Sequence, residues 1–371
     1  MLKVAIAGSG DTAKVLIGLI KERHLPPPIW YGSQTLNPDL QWQLVGKLHS
    51  AVSALDFERK LYDEITPSDE PIDLCALNFP AHLVYEKAKV ILARFRVAPK
   101  TVLVLFTQGT TLFETSKLFP EYPDTNFVFA DRNLANVKTD GKENTLNVTR
   151  ILRTLRVYSS KNEISEEVVG WARQIGIKVG AIRNPFDVVF GLSNMVVHPC
   201  IWWSKYQVNL LQTNEPMYYK LPNKAFTKSI AYFILRLQVQ KEMERAGIFT
   251  RARTPLNWIP IWACRIGQQL GQFCPEGLLH SLFVTSHHFP VQQILTDSVC
   301  EKHFVRDGIY GLIFIRAIAR QCGLVSNEID ELIEVFRKLK PSLFETFRKD
   351  LEFCDNYFLN YVAFINKCKQ L

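Results

Sequence analysis

Several features are missing from this 371-residue sequence, and each absence narrows what the chain can be. Its eight cysteines lie at positions 75, 200, 264, 274, 300, 322, 354 and 368, and no pair has C-x-x-C spacing. That spacing carries zinc knuckles and dithiol redox motifs, so the cysteines read as free buried thiols. No apolar run approaches the roughly 20 residues that a membrane-spanning helix needs, so no membrane association is expected. There is no block of one charge sign. The net charge of +8 is scattered, as in 150-RILRTLR-156 and 251-RAR-253. Such a balance draws in small anions, a dinucleotide or carboxylates, as readily as nucleic acid, and no nucleic-acid partner is expected. The start, MLKVAIAGSG, lacks the long apolar stretch and small-residue cleavage site of a signal peptide. It reads as a first β-strand, and the expectation is a cytoplasmic protein. Neither an internal repeat nor a low-complexity segment occurs.

What is present is a globular composition, 47% hydrophobic and 22% charged, on a chain long enough for two domains. In the first half, short apolar runs alternate with helical patterns. Strands are predicted at 2-LKVAIAG-8, 29-IWYG-32, 72-IDLCALNF-79, 101-TVLVLFTQ-108, 126-NFVFAD-131, 154-TLRVYSS-160 and 177-IKVGAI-182. Helices are predicted at 11–23, with Val15, Leu16, Leu19 and Ile20 on one face, at 81–95, near 111–118 and at 165–176. Pro26, Pro27 and Pro28 end the first of these. Near-continuous apolar strands alternating with helices predict a mostly parallel sheet covered on both faces. After about residue 185 the alternation gives way to long helical patterns at 225–247, 308–323 and 326–339, the last with Ser326 as candidate N-cap. The expected architecture is a doubly wound α/β domain over 1–184, followed by an all-α domain over 185–371.

The first βα turn, 8-GSGDTA-13, has the form Gly8-x-Gly10-x-x-Ala13. Glycines there permit a tight turn and close backbone approach to a pyrophosphate, and the helix N-terminus offers N–H groups and partial positive charge. Strand, turn and helix follow in the required order, so the first domain reads as Rossmann-type, with Gly8, Ser9, Gly10, Asp11, Thr12 and Ala13 as cofactor-binding candidates. The end of the second strand, 30-WYGSQT-35, lacks the acid that bonds the ribose 2′-hydroxyl of NAD. Ser33 and Gln34 can hydrogen-bond a 2′-phosphate, so NADP is favoured, with NAD as the alternative. Beyond the strand at 101–108, Thr107 and Gln108 are candidates for the nicotinamide side, against an ordinary turn.

At the junction, 194-NMVVHPCIWWSKY-206 sets a single histidine, His198, in an apolar run. A buried imidazole needs partners for its ring nitrogens. Three readings are open: a packed core residue, a metal ligand with Cys200, and a catalytic or substrate-contacting group. A lone His-x-Cys without further ligands is a poor metal site, and no metal is expected.

The segments 193-SNMVVHPCIW-202, 217-MYYKL-221 and 102-VLVLFTQGTTLFE-114, with the order of the strands at 126–131 and 154–160, resemble the opine dehydrogenases that complete metallophores of the staphylopine, pseudopaline and yersinopine type. The resemblance is diffuse but covers most of the chain, and V-H-P is its sharpest element. It implies reductive condensation of an amino-acid-derived amine with an α-keto acid, pyruvate or 2-oxoglutarate, at the expense of a reduced nicotinamide. It also implies a homodimer. His198 matches the family histidine, a proton donor or substrate-orienting group, and imidazole suits proton transfer near neutral pH. Lys220 matches a family lysine that can hold a substrate carboxylate.

The chain departs from the family in two places. Asn136, in a polar loop of 131-DRNLANVK-138, stands where the family carries an aspartate that works with the histidine, and Asp131 and Asp140 are nearby substitutes. Ser33 stands where the family has an arginine. His287 and His288 read as surface or packing residues, and in 301-EKHFVRDGIYG-311 either Arg306 or His303 is a candidate for the cleft. A keto-acid reductase on the same scaffold and a non-catalytic dinucleotide-binding relative are the competing expectations.

Overall fold

The structure, a computed structural model, describes residues 2–8, 10–32, 41–53, 56–61, 71–105, 107, 109, 111–139, 144–161, 163–183, 185–190, 198–200, 223–247, 260–275, 278, 304–339, 341–346, 348 and 366. Two compact units divide the chain, Met1–Gly191 and Leu192–Gln370.

The first unit is built on β1 (Val4–Ala7), α1 (Asp11–Glu22), β2 (Ile29–Gly32), β3 (Gln41–Gly46), β4 (Ser50–Ser53), β5 (Glu58–Leu61) and β6 (Leu74–Leu77). It continues with α2 (Ala81–Leu92), β7 (Thr101–Val104), α3 (Thr111–Thr115), β8 (Asn126–Ala130), β9 (Ala135–Thr139) and β10 (Thr145–Ile151). Then follow β11 (Thr154–Ser159), α4 (Glu166–Gln174), β12 (Lys178–Ala181) and α5 (Pro185–Phe190). The expected junction at 184/185 precedes α5, which the contacts keep with the first unit, against β11.

An eight-stranded sheet runs β12-β11-β8-β7-β6-β1-β2-β5. Its pairings are parallel apart from β8 with β11. β2, β6, β7 and β8 are buried along their whole length, as strands covered on both faces must be. From β5 to β8 the order is that of a dinucleotide-binding sheet, reversing between β1 and β6. A ligand crevice is expected beyond the carboxyl ends of strands at such a reversal.

A second sheet, β4-β3-β10-β9, was not foreseen from the sequence. It is assembled from the excursions between β2 and β5 and between β8 and β11. Trp42, Leu44, Val52, Ala135, Leu146 and Val148 are buried side chains of this sheet and join the main core. This sheet lies on α1, which is why α1 buries residues 12, 13 and 15–20 rather than a single stripe. A Cβ on Gly18 would lie 2.4 Å from Leu44 Cδ1, so the glycine lets helix and sheet approach. Asn136, expected in a loop, is instead paired with Arg150 in β9, where its carbonyl accepts from Thr149 Oγ1 at 3.1 Å.

In the second unit, residues 198–200 are helical. The further elements are α6 (Asn223–Arg245), α7 (Ile261–Phe273), a π-helical segment Phe304–Ile313, α8 (Phe314–Gln321), α9 (Asn327–Leu339) and α10 (Pro341–Thr346). The described residues here include no strand, in line with the expected all-α domain. The helix expected as one piece from 308 begins at Phe304 with widened turns and becomes α-helical at Phe314. Ile234 and Leu237 of α6 pack against Cys264 of α7. Tyr232 donates to the Glu328 carbonyl at 3.0 Å, and Lys228 pairs with Glu331 at 2.6 Å, tying α6 to α9. No helix among the described residues is long and apolar enough to cross a membrane.

Candidate functional site

Two candidate sites stand out, one in each unit. The first is the turn after β1. Gly8 has φ +116°, a conformation side chains rarely adopt, and a Cβ there would lie 2.3 Å from the Asn78 carbonyl oxygen. Its N–H donates to the Tyr31 carbonyl at 3.0 Å, and its carbonyl accepts the Trp30 indole N–H. Asn78 in turn donates its N–H to the Ala7 carbonyl at 2.8 Å. The first glycine is therefore fixed by β2 on one side and by the residue after β6 on the other. Gly10 caps α1 with extended backbone and no side-chain hydrogen bond, which leaves the helix start to an external acceptor. Asp11 faces Lys14 Nζ at 3.4 Å, and Lys14 lies over the Trp42 ring at 5.0 Å. An acid in the first turn is thereby countered by its own neighbour. Thr12 and Ala13 are buried, Ala13 completely, as close helix–strand packing requires.

Thr107 follows β7, fully buried, with its N–H on the Ala130 carbonyl at 3.0 Å. Its Oγ1 has no hydrogen-bond partner, a deficit that a water or a bound ligand ordinarily makes good. A glycine that admits no Cβ, an uncapped helix start and an orphaned hydroxyl at one sheet edge fit a dinucleotide. Ser9, Ser33, Gln34 and Gln108 lie outside the described residues.

At the end of β8, Asp131 is 1% exposed and is held by Arg132, with contacts of 3.1 and 2.9 Å, and by Arg156 at 3.9 Å. It is thus committed to ion pairing. Asn136 is exposed on β9.

The second site centres on His198. The ring is 7% exposed, and its Nδ1 lies 2.8 Å from Oδ2 of Asp307, which is 0% exposed. Asp307 sits in the π-helical segment. Such widened turns recur at functional positions because they redirect side chains. A buried carboxylate against a buried imidazole fixes the orientation of the ring. The carboxylate on His198 is therefore Asp307. In the sequence, the family's aspartate position falls on Asn136, with Asp131 and Asp140 as nearby substitutes, and the segment 301–311 offers Arg306 and His303. Two residues on from His198, Cys200 is fully buried, and burial pushes its thiol up to about 12, against the opposing effects of Ser229 and Lys228. A thiol held protonated is a poor metal ligand. Among the described residues no three His, Cys, Asp or Glu side chains converge as a metal-holding group. Lys220, Asp140, His287, His288 and His303 lie outside the described residues.

Three residues escaped the sequence reading: Asp307, Asn78 and Trp30. Asn78 carried a signal, being the first polar residue after a buried strand. The indole bond of Trp30 to Gly8 had none, since Trp30 reads as one more apolar strand residue.

The architecture is an α/β unit with a dinucleotide-binding strand order followed by a helical unit. The solved structure of yersinopine dehydrogenase with NADP+ bound is similar over 100% of this chain and 99% of its own, with TM-score 0.70 and 13% identity. Octopine dehydrogenase in complex with NADH and agmatine is similar over 91% and 89%, with TM-score 0.61 and 12% identity. Dimeric ketopantoate reductase from Staphylococcus aureus is similar over 92% and 100%, with TM-score 0.53 and 12% identity. At these identities the likeness is one of fold. No family model matches the chain, and no curated protein sequence matches it.

Proposed function

We propose that the chain is an NAD(P)H-dependent opine dehydrogenase, with NADP the favoured cofactor. It joins an amino-acid-derived amine to an α-keto acid, pyruvate or 2-oxoglutarate, giving an opine-type metallophore. The observation that carries this reading is the buried His198–Asp307 pair, 2.8 Å apart, in the helical unit of a dehydrogenase fold.

The dinucleotide is assigned to Gly8–Ala13, with its phosphates toward the uncapped start of α1, to Thr107, and to Ser33, Gln34 and Gln108. A reduced nicotinamide, when bound, supplies hydride to the substrate's imine carbon. The remaining chemistry is proton management. The amine adds to the keto carbon, and the resulting carbinolamine loses its hydroxyl as water. His198, protonated on both nitrogens, gives the departing oxygen a proton from Nε2 while Asp307 accepts from Nδ1–H, and the substrate nitrogen gives up its own proton as the C=N bond forms. Asp307 fixes the orientation of the ring through Nδ1. Lys220 is assigned to a substrate carboxylate, and Asn136 to hydrogen bonding with substrate.

The test is cofactor oxidation by the full chain, with NADPH and with NADH, across a matrix of amino acids and α-keto acids. Opine formation requires oxidation only where both an amine and a keto acid are present. Turnover with a keto acid alone would make the chain a simple keto-acid reductase. Dinucleotide binding without turnover in any pair would make it a non-catalytic relative.

A further inference from the structure

A cavity of about 440 Å³ opens in the helical unit between α6, α7 and the start of α9. Small-molecule sites span roughly 300–1,000 Å³, so it is large enough to hold a metabolite. Lys224 and Lys228 line it from α6, Gln268 and Gln272 from α7, and Glu328 from α9. Its walls are tied together without a ligand. Asn223, also in the lining, donates through Nδ2 to the Cys274 and Pro275 carbonyls at 2.8 and 3.0 Å, which clamps the end of α7 to the start of α6. On the other side Lys228 pairs with Glu331 at 2.6 Å, and the Tyr232 hydroxyl donates to the Glu328 carbonyl. The cavity is not the surroundings of His198. Its lining residues Lys224, Thr227 and Ala231 recur at i, i+3 and i+7, on one face of α6. Ser229, which meets the Cys200 thiol two residues on from His198, lies on the opposite face.

The lining sets charges of both signs around one space. The start of a helix favours anions, yet the first turn of α6 has no acid and carries Lys224. A carboxylate bound there answers both the ammonium and the helix end. Across the cavity the Glu328 carboxylate has no hydrogen-bond or ion-pair partner among the described residues, and neither do the Gln268 and Gln272 amides. A plain anion would meet a like charge at Glu328, and a plain amine would meet like charges at the lysines. A molecule carrying both charges satisfies both walls. We propose that this cavity binds a small dipolar metabolite of the amino-acid class. Its carboxylate lies toward Lys224 and Lys228, its ammonium toward Glu328, and its remaining polar groups toward Gln268 and Gln272. The site is separate from the substrate position assigned beside His198, and it does not rest on the catalytic reading.

Calorimetric titration of the full chain without dinucleotide tests this. The probes are L-glutamate against glutarate, which keeps both carboxylates and lacks the ammonium, and L-lysine against cadaverine, which keeps both amines and lacks the carboxylate. Each amino acid should bind saturably, and its truncated partner roughly tenfold or more weakly. Lys224→Met and Glu328→Gln should each weaken L-glutamate binding by roughly ten- to a hundredfold, the scale of a hydrogen bond to a charged group. Their thermal melts should match wild type, because both side chains are exposed. Glu328→Gln should not weaken glutarate, and His198→Ala should leave L-glutamate binding in place. No saturable binding of either amino acid would overturn the proposal. So would glutarate binding as tightly as L-glutamate, which would make the cavity a plain anion site. Binding that is lost in His198→Ala and kept in Lys224→Met would place the ligand beside His198 instead and overturn it as well.

Discussion

His198 and Asp307 are 109 residues apart in sequence, yet their side chains meet at 2.8 Å in a buried pair. The pair predicts a specific division of effects. His198→Ala should lower kcat/KM by roughly 10²–10⁴-fold, the ordinary scale of a positioned acid–base group, and leave dinucleotide binding unchanged. Asp307→Asn keeps the side-chain shape but replaces the carboxylate against Nδ1 with an amide that does not fix the ring in the same way, and should cost a comparable factor. Steady-state rates together with quenching of reduced-nicotinamide fluorescence check both. Full activity in either variant would remove the pair from the chemistry.

Gly8→Ala should disable the first site. The new methyl would sit 2.3 Å from the Asn78 carbonyl oxygen at a backbone φ of +116°. That conformation by itself costs about 1–3 kcal/mol for a side-chain-bearing residue, before the clash is counted. Dinucleotide affinity, measured by fluorescence titration, should fall by about a hundredfold or more. Unaltered binding would show that the ligand does not use this turn.

Trp30→Phe separates positioning from contact. Trp30 is 1% exposed, packs edge-on against Phe57 with ring centroids 4.6 Å apart, and donates its indole N–H to the Gly8 carbonyl. Phenylalanine keeps most of the packing and leaves a buried carbonyl without its donor, at a cost of about 1–3 kcal/mol. The dinucleotide KM should rise by roughly tenfold with little change in kcat. A variant that melts earlier but binds as well as wild type would mean that the indole bond serves stability alone.

The middle of the main sheet was legible because its inner strands are buried on both faces and appear as apolar runs, 74-LCAL-77 and 101-TVLV-104 among them. The second sheet was not. Its strands bury one face each, as in 41-QWQLVG-46, and are too short for alternation to stand out from a loop. β5, 58-ERKL-61, carries almost no apolar signal and exists through its backbone pairing with β2. At the candidate site, His198 stood out because a polar ring in an apolar run needs a partner. Asp307 did not, because its π-helical turn breaks the 3.6-residue periodicity by which a facing residue is inferred.

Acid should weaken the α/β unit at an identifiable joint. Asp73 precedes β6, and its two oxygens accept from the Lys3 N–H at 2.9 Å and from Lys100 Nζ at 2.7 Å, linking the starts of β1 and β7. Burial is the largest single effect and pushes the carboxyl's pKa up, but the Lys100 ammonium and the Lys3 N–H together outweigh it and hold the carboxyl below the ordinary 3.8. A carboxylate whose folded value is depressed contributes stability that is fully present above the unfolded value and is lost as pH falls through the folded one. Asp73→Asn should therefore unfold at lower urea concentration than wild type at pH 7, with an unchanged m-value. The gap should close as the pH is brought below the ordinary aspartate value. The contribution is small, because the Lys100 end of the pair is solvent-exposed and screened, so added salt should narrow the gap at pH 7 as well. A gap that persists undiminished in acid would assign the loss to packing rather than to the charge.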